Sequence, residues 1–200
     1  MKKTIIIGCS ILATLVLSGC GNTTGTSSGK NGSEVASLKA ENKSLKKQLA
    51  ADNSTTSKKR VLSPVGEIQY TITNITTKRV ENERSNYTNA EYNFSGIKDF
   101  PSRYYRTEIS YQLKNIGAKA FSLSNTSSKV LDDDGIEYTR DSTTNFGIDM
   151  NSNGKVQPGT ATTGTFYLLT KTKPNVKNIS INVGDQFNGI DSVGKGGIAK

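Results

Sequence analysis

Acidic runs are where this chain has side chains with the chemistry to hold an ion. Asp149-Met150-Asn151-Ser152-Asn153-Gly154 opens with the Asp, Asn, Asn, Gly spacing of a calcium loop. An EF-hand also needs a bidentate acid at its twelfth position, which here is Thr160. The run therefore reads as an Asx-rich turn, with Asp149–Asn153 a weak cation candidate only. Leu131-Asp132-Asp133-Asp134-Gly135 places three carboxylates together. In a hairpin alternate side chains diverge, so Asp132–Asp134 cannot all converge on one cation. The chain has no His, which removes the commonest general base and the commonest metal ligand. No glycine-rich phosphate loop is present, and no motif marks an activated nucleophile. The expectation is a protein that is not an enzyme, with no catalytic residue, no cofactor and no metal.

The remaining reactive group is a thiol. Met1-Lys2-Lys3 is basic, and Thr4 to Leu17 is an apolar run. That run is shorter than the roughly 20 residues a spanning helix needs and has the length of a signal-peptide core. Leu17, Ser18, Gly19 and Cys20 follow it. They resemble, position by position, the lipobox of bacterial lipoproteins: Leu, a small residue, Gly or Ala, then Cys. The resemblance implies a diacylglycerol on the Cys20 thiol and cleavage just before it. Two acyl chains give the stable attachment that one cannot. The implied location is the extracellular face of the cell membrane. An ordinary secretory signal with an incidental cysteine is the alternative. If the lipobox holds, Cys9 leaves with the signal and the mature chain has neither free thiol nor disulfide, so the fold must rest on its core.

The rest of the sequence divides by composition. Residues 1–19 read as the signal, and 20–33 as the lipidated cysteine with a Gly/Ser/Thr/Asn linker that cannot pack. Residues 34–52 read as a helix with Ser33 as N-cap. In it Val35, Leu38, Asn42, Leu45 and Leu49 fall at a, d, a, d, a of a heptad, and Asn at a favours a parallel two-stranded register. A homodimer through 34–52, a lone solvated helix and a helix lying on the domain or membrane all fit. Residues 53–64 read as a basic linker containing Lys58-Lys59-Arg60, either a solvated hinge or a contact for anionic lipid or wall polymer. From 65 to 185 the apolar pattern has period two, and 186–200 reads as a Gly-rich tail.

In the period-two region Ile68, Tyr70 and Ile72 share one face of a strand, and Tyr105, Thr107, Ile109, Tyr111 and Leu113 one face of another. Frequent turns without interleaved helices predict an all-β, immunoglobulin-like antiparallel β-sandwich. Asn115 and Gly117, Asp132 and Gly135 with Tyr138, Pro158 and Gly159, and Gly164 with Phe166 resemble the telokin-like immunoglobulin-fold domain of many Gram-positive lipoproteins. The resemblance covers about 120 residues and implies a fold and a lipoprotein setting, with no catalytic residues. Glu81 to Ser102 is longer than a tight connection and carries Tyr87, Tyr92, Phe94 and Phe100 among polar residues, a composition common in binding loops. These four aromatics are the expected partner contact, the alternative being that they fold back as core or form an extra edge hairpin.

The charge is +9, from 26 Lys and Arg against 17 Asp and Glu. The positive residues are scattered and the signal exports the chain, so nucleic acid is not an expected partner. Expected instead are the membrane, through the lipid on Cys20, and an envelope or extracellular protein or anionic polymer. The functional expectation is a lipid-anchored, non-catalytic binding module of the cell envelope. The alternative is a structural spacer or accessory subunit of an envelope complex, including phage- or conjugation-related surface exclusion.

Overall fold

A computed structural model describes residues 31–200 apart from Ser57 and Ser152. The signal, Cys20 and most of the 20–33 linker lie outside the described residues. Two compact units divide the chain, Met1–Asn42 and Lys43–Lys200. The described part of the first is the start of a helix, Asn31–Asp52 (α1), in which the Asn42 amide donates to Leu38 O at 3.1 Å. The helix begins ahead of the expected start, so Ser33 lies inside it and is not its N-cap. Val35 and Leu38 of the first unit, and Leu45 and Leu49 of the second, are all exposed. Among the described residues no helix is long and apolar enough to cross a membrane.

In the second unit the elements run Ser54–Thr56 (β1), Arg60–Val61 (β2), Ile68–Glu81 (β3), Asn89–Tyr92 (α2), Arg103–Asn115 (β4), Phe121–Ser122 (β5) and Ser128–Leu131 (β6). Asn145–Asp149 (β7), Lys155–Val156 (β8), Ala161–Thr170 (β9), Ser180–Val183 (β10), Gln186–Asn188 (β11), Asp191–Gly194 (β12) and Gly197–Ala199 (β13) follow. The main sheet has the order β1-β3-β4-β9-β7, with β2 also on β3. A second sheet, β13-β10-β6, faces it. All the pairings between strands are antiparallel. The fold is an immunoglobulin-like antiparallel sandwich.

Alternation explains the inner face. Ile68, Tyr70 and Ile72 of β3 are buried, then the pairing slips at Thr73, and Ile75 and Thr77 continue the buried set. Without that bulge the odd-numbered residues would turn outward, because the side-chain period is two. On β4, Thr107, Ile109, Tyr111 and Leu113 are buried as the pattern predicts, whereas Tyr105 is half-exposed. Phe166 and Leu168 of β9 complete the floor, and Val130, Ile181, Val183 and Ala199 come down from the second sheet. Tyr70 and Tyr111 meet edge-on at a centroid distance of 5.1 Å, and Phe166 lies tilted against them at 6.2 and 4.8 Å.

Three segments depart from their expected character. The basic linker 53–64 is pinned to the sheet by β1 and β2, and Leu62 is a core residue. The Gly-rich tail 186–200 is structured: β11 and β12 form a hairpin, and β13 adds an edge to the second sheet. Gly194 is needed there, since a Cβ would lie 2.0 Å from the side-chain oxygen of buried Gln186. The insertion Glu81–Ser102 is not an open loop. It carries α2 and two 3-10 turns and covers the outer face of the main sheet, where Phe94, Phe100, Tyr104, Phe146 and Leu169 make a second core.

Candidate functional site

Asp149 ends the edge strand β7 opposite Phe166. The Tyr111 side chain runs along the inner face toward it, and the hydroxyl donates to Asp149 at 2.7 and 2.8 Å. This reach requires Gly164 beside Tyr111 in the register, because a Cβ there would sit 2.3 Å from the Tyr111 oxygen. The Asn151 backbone N–H donates a further hydrogen bond to Asp149, 2.9 Å. Among the described residues no cation pairs with Asp149. Burial pushes its pKa up to about 6, against the Tyr111 and Asn151 hydrogen bonds that favour the charged form. Burial also pushes the Tyr111 and Tyr70 hydroxyls above their ordinary range, with the Asp149 charge adding to both.

A cavity of about 510 Å³ opens at this edge, lined by Tyr70, Ser128, Lys129, Arg140, Asp149 and Asp185 among others. Tyr70 and Ser128 are joined across the two sheets at 2.9 Å. On the outer face a shallower groove of about 710 Å³ runs past Thr73, Ser110, Thr163, Thr165 and Tyr167 to Asn151. The cavity is lined by Arg140, by Lys129, whose ammonium also pairs with Glu137 at 2.8 Å, and by two carboxyls, hydroxyls and amides. This equips it for hydrogen bonding and charge pairing with a polar ligand.

A second buried carboxyl, Glu91, sits under the insertion. Its Oε1 accepts from the Tyr104 hydroxyl at 2.9 Å and from Arg106 Nη1 at 3.1 Å. Its Oε2 accepts from the backbone N–H of Thr88 at 2.8 Å and from the Thr88 hydroxyl. Thr88 and Glu91 are the two ends of a capping box on α2. Burial works to raise the Glu91 pKa, but these hydrogen bonds and the Arg106 charge overcome it and hold the carboxyl below its ordinary range. Arg106 also faces Glu108 at 3.3 Å.

The four aromatics expected as a partner contact separate. Phe94 and Phe100 are core residues and cannot meet a partner: Phe94 lies 4.3 Å from Phe146 and 5.2 Å from Phe100, ring to ring. Tyr87 is half-buried and donates to Asn82 Oδ1 at 2.6 Å. Tyr92 alone of the four is exposed, at 61%. The physical reason is that β4 carries Tyr104, and β7 and β9 carry Phe146 and Leu169, on the outer side of the sheet, and those surfaces need covering.

The acidic run Asp132–Asp134 is a turn. Asp132 accepts from the backbone N–H groups of Asp134 and Ile136 and from the Tyr138 hydroxyl, at 2.9–3.0 Å. Asp133 accepts from Asn178. Among the described residues no group of three or more metal-ligating side chains converges. Sequence reasoning did not find Glu91, Tyr104 and Arg106 as a unit, although the Thr88-to-Glu91 spacing is a readable signal for it.

No protein-family model matches the chain, and no curated protein matches it. Solved structures share weak similarity. A functionally unknown protein from Listeria monocytogenes is 12% identical, with 66% of this chain and 74% of that one covered and a TM-score of 0.43. The YjhA protein from Bacillus subtilis is 14% identical over 62% and 76%, TM-score 0.35. A conserved hypothetical protein from Bacillus anthracis is 12% identical over 72% and 96%, TM-score 0.36.

Proposed function

We propose that this chain is a lipid-anchored binding module of the bacterial cell envelope, non-catalytic, with a telokin-like immunoglobulin-fold domain held outside the membrane by the lipid on Cys20. The observation that carries the binding half is the cavity beside Asp149, where Lys129, Arg140, Asp149 and Asp185 surround one opening between the sheets. The anchoring half rests on the Leu17–Cys20 motif. The helix supplies a partner of its own: the exposed Val35, Leu38, Leu45 and Leu49 stripe pairs with a second copy, and two linked modules bind a repetitive target with avidity.

Three measurements test this. Metabolic labelling with an alkyne fatty acid should mark the chain and lose the mark in Cys20→Ala; unlabelled chain sinks the anchor. A pull-down from native envelope should recover a partner with the chain from Gly21 onward, and lose it with Lys129→Gln/Arg140→Gln at unchanged stability. Cross-linking should give a dimer that Leu38→Lys/Leu45→Lys abolishes. A structural spacer is the second reading, favoured by the burial of Phe94 and Phe100, which makes the insertion a packed layer. It predicts no partner in the pull-down from either protein.

A further inference from the structure

Two adjoining cavities, of about 320 and 180 Å³, open beside β1 and β2 and share Thr56, Ile75 and Lys177. The rim of the larger carries Lys58, Lys59, Arg60 and Lys177, and its floor is Ile72 and Ile75. Among the described residues no Asp or Glu lines either one. The cavity beside Asp149, by contrast, balances Lys129 and Arg140 with Asp149 and Asp185. The cations of the rim divide by role. Arg60 is half-buried and fixed, its guanidinium donating to the Ile179 carbonyl, with Asp133 near enough to favour its charge. Asp133 in turn is held by the Asn178 backbone N–H at 2.6 Å. Lys58, Lys59 and Lys177 are exposed. Lysines present point charges on flexible stems, which suits phosphates displayed without fixed orientation rather than one planar carboxylate.

We propose that this basic rim is a docking surface for the anionic phospholipid headgroups of a membrane. Charge complementarity selects a polyanionic surface, and three solvent-reaching lysines supply attraction of the kind that holds polybasic segments to acidic bilayers. The choice of membrane over soluble anion rests on the lipid-anchored reading. A chain tethered to a bilayer by Cys20 meets headgroups at a far higher effective concentration than any free polymer. Docking through Lys58, Lys59 and Lys177 then lays this face of the sandwich on the bilayer.

The test uses the chain from Gly21 onward, which keeps every core residue, since all of these lie between Leu62 and Ala199. Co-sedimentation with phosphatidylcholine vesicles is compared with vesicles containing phosphatidylglycerol. Binding should rise with phosphatidylglycerol content and fall with added salt. Lys58→Gln/Lys59→Gln/Lys177→Gln should weaken it about a hundredfold, roughly fivefold per cation. The charge-matched Lys114→Gln/Lys119→Gln/Lys195→Gln variant should keep most of it. Binding that ignores phosphatidylglycerol, or that falls equally in both variants, overturns the proposal. So does binding to soluble poly(glycerol phosphate) without binding to vesicles, which would assign the rim to a wall polymer. Failure of fatty-acid labelling at Cys20 would overturn the anchor alone and leave the vesicle result standing.

Discussion

Glu91 and Asp149 lie against opposite faces of the same sheet, and they are held in opposite ways. Glu91 has its charge matched by Arg106 and both oxygens filled by Thr88, Tyr104 and Arg106. Among the described residues Asp149 has two donors and no cation, and an open cavity lies beside it. The first arrangement serves the fold, because a buried charge with a full set of partners fixes where the insertion sits. The second leaves a carboxyl whose protonation changes near neutral pH, facing space that a ligand can fill. Burial alone therefore does not separate structural acids from available ones; the partners do.

The comparison breaks most sharply at Glu91. Glu91→Ala leaves the Tyr104 hydroxyl and the Thr88 cap without their acceptor and Arg106 with Glu108 and the Asn86 carbonyl alone, and should cost about 2–4 kcal/mol in urea unfolding. Replacing both, Glu91→Leu with Arg106→Met, should recover most of that loss. A double variant as unstable as the single would show that Glu91 acts through packing of the insertion instead. Phe94→Ala should cost a similar 3–5 kcal/mol, while Tyr92→Ser should stay within about 0.5 kcal/mol. Equal effects of the two would contradict the division of the insertion into core and surface.

Titration sharpens the contrast. The folded Asp149 binds its proton more tightly than the unfolded chain does, so its contribution to stability grows as pH falls through about 6 and is lost as pH rises again. Glu91 has the opposite sign: its contribution is full above the ordinary carboxylate range and is lost as pH falls below it. Unfolding free energy measured across pH should rise from neutral toward about 5 and decline in stronger acid. Asp149→Asn should flatten the first limb and leave the second. A smaller effect than the losses at Glu91 and Phe94 is expected from Tyr111→Phe, about 1 kcal/mol, read with an upward shift of the Asp149 carboxyl resonance titration.

Alternation carried the inner core, because Ile68, Tyr70 and Ile72 and the residues from Thr107 to Leu113 obey one period within one sheet. It did not carry the outer layer. Tyr104 falls between expected core positions and is buried only because a segment far from it in pattern, around Phe94, folds over it. Period-two reasoning assumes one wet face, and this sheet has two covered ones over part of its width. The Gly-rich end failed for a related reason: its glycines permit close approach of Gln186, which local composition cannot distinguish from flexibility. Asp149 was visible as an acid, but its neighbours Tyr111 and Gly164 come from distant strands, and only the register brings them together.

The last residue offers one more consequence. The Lys200 carbonyl accepts from the Ser63 backbone N–H at 2.8 Å, and the Lys200 N–H donates to the Ser63 hydroxyl at 2.9 Å. The tail thus closes on the stretch that follows β2, next to the core residue Leu62. Removing residues 197–200 would therefore take away β13 and both hydrogen bonds on Ser63 together, loosening the second sheet and the end of the 53–64 segment in one step.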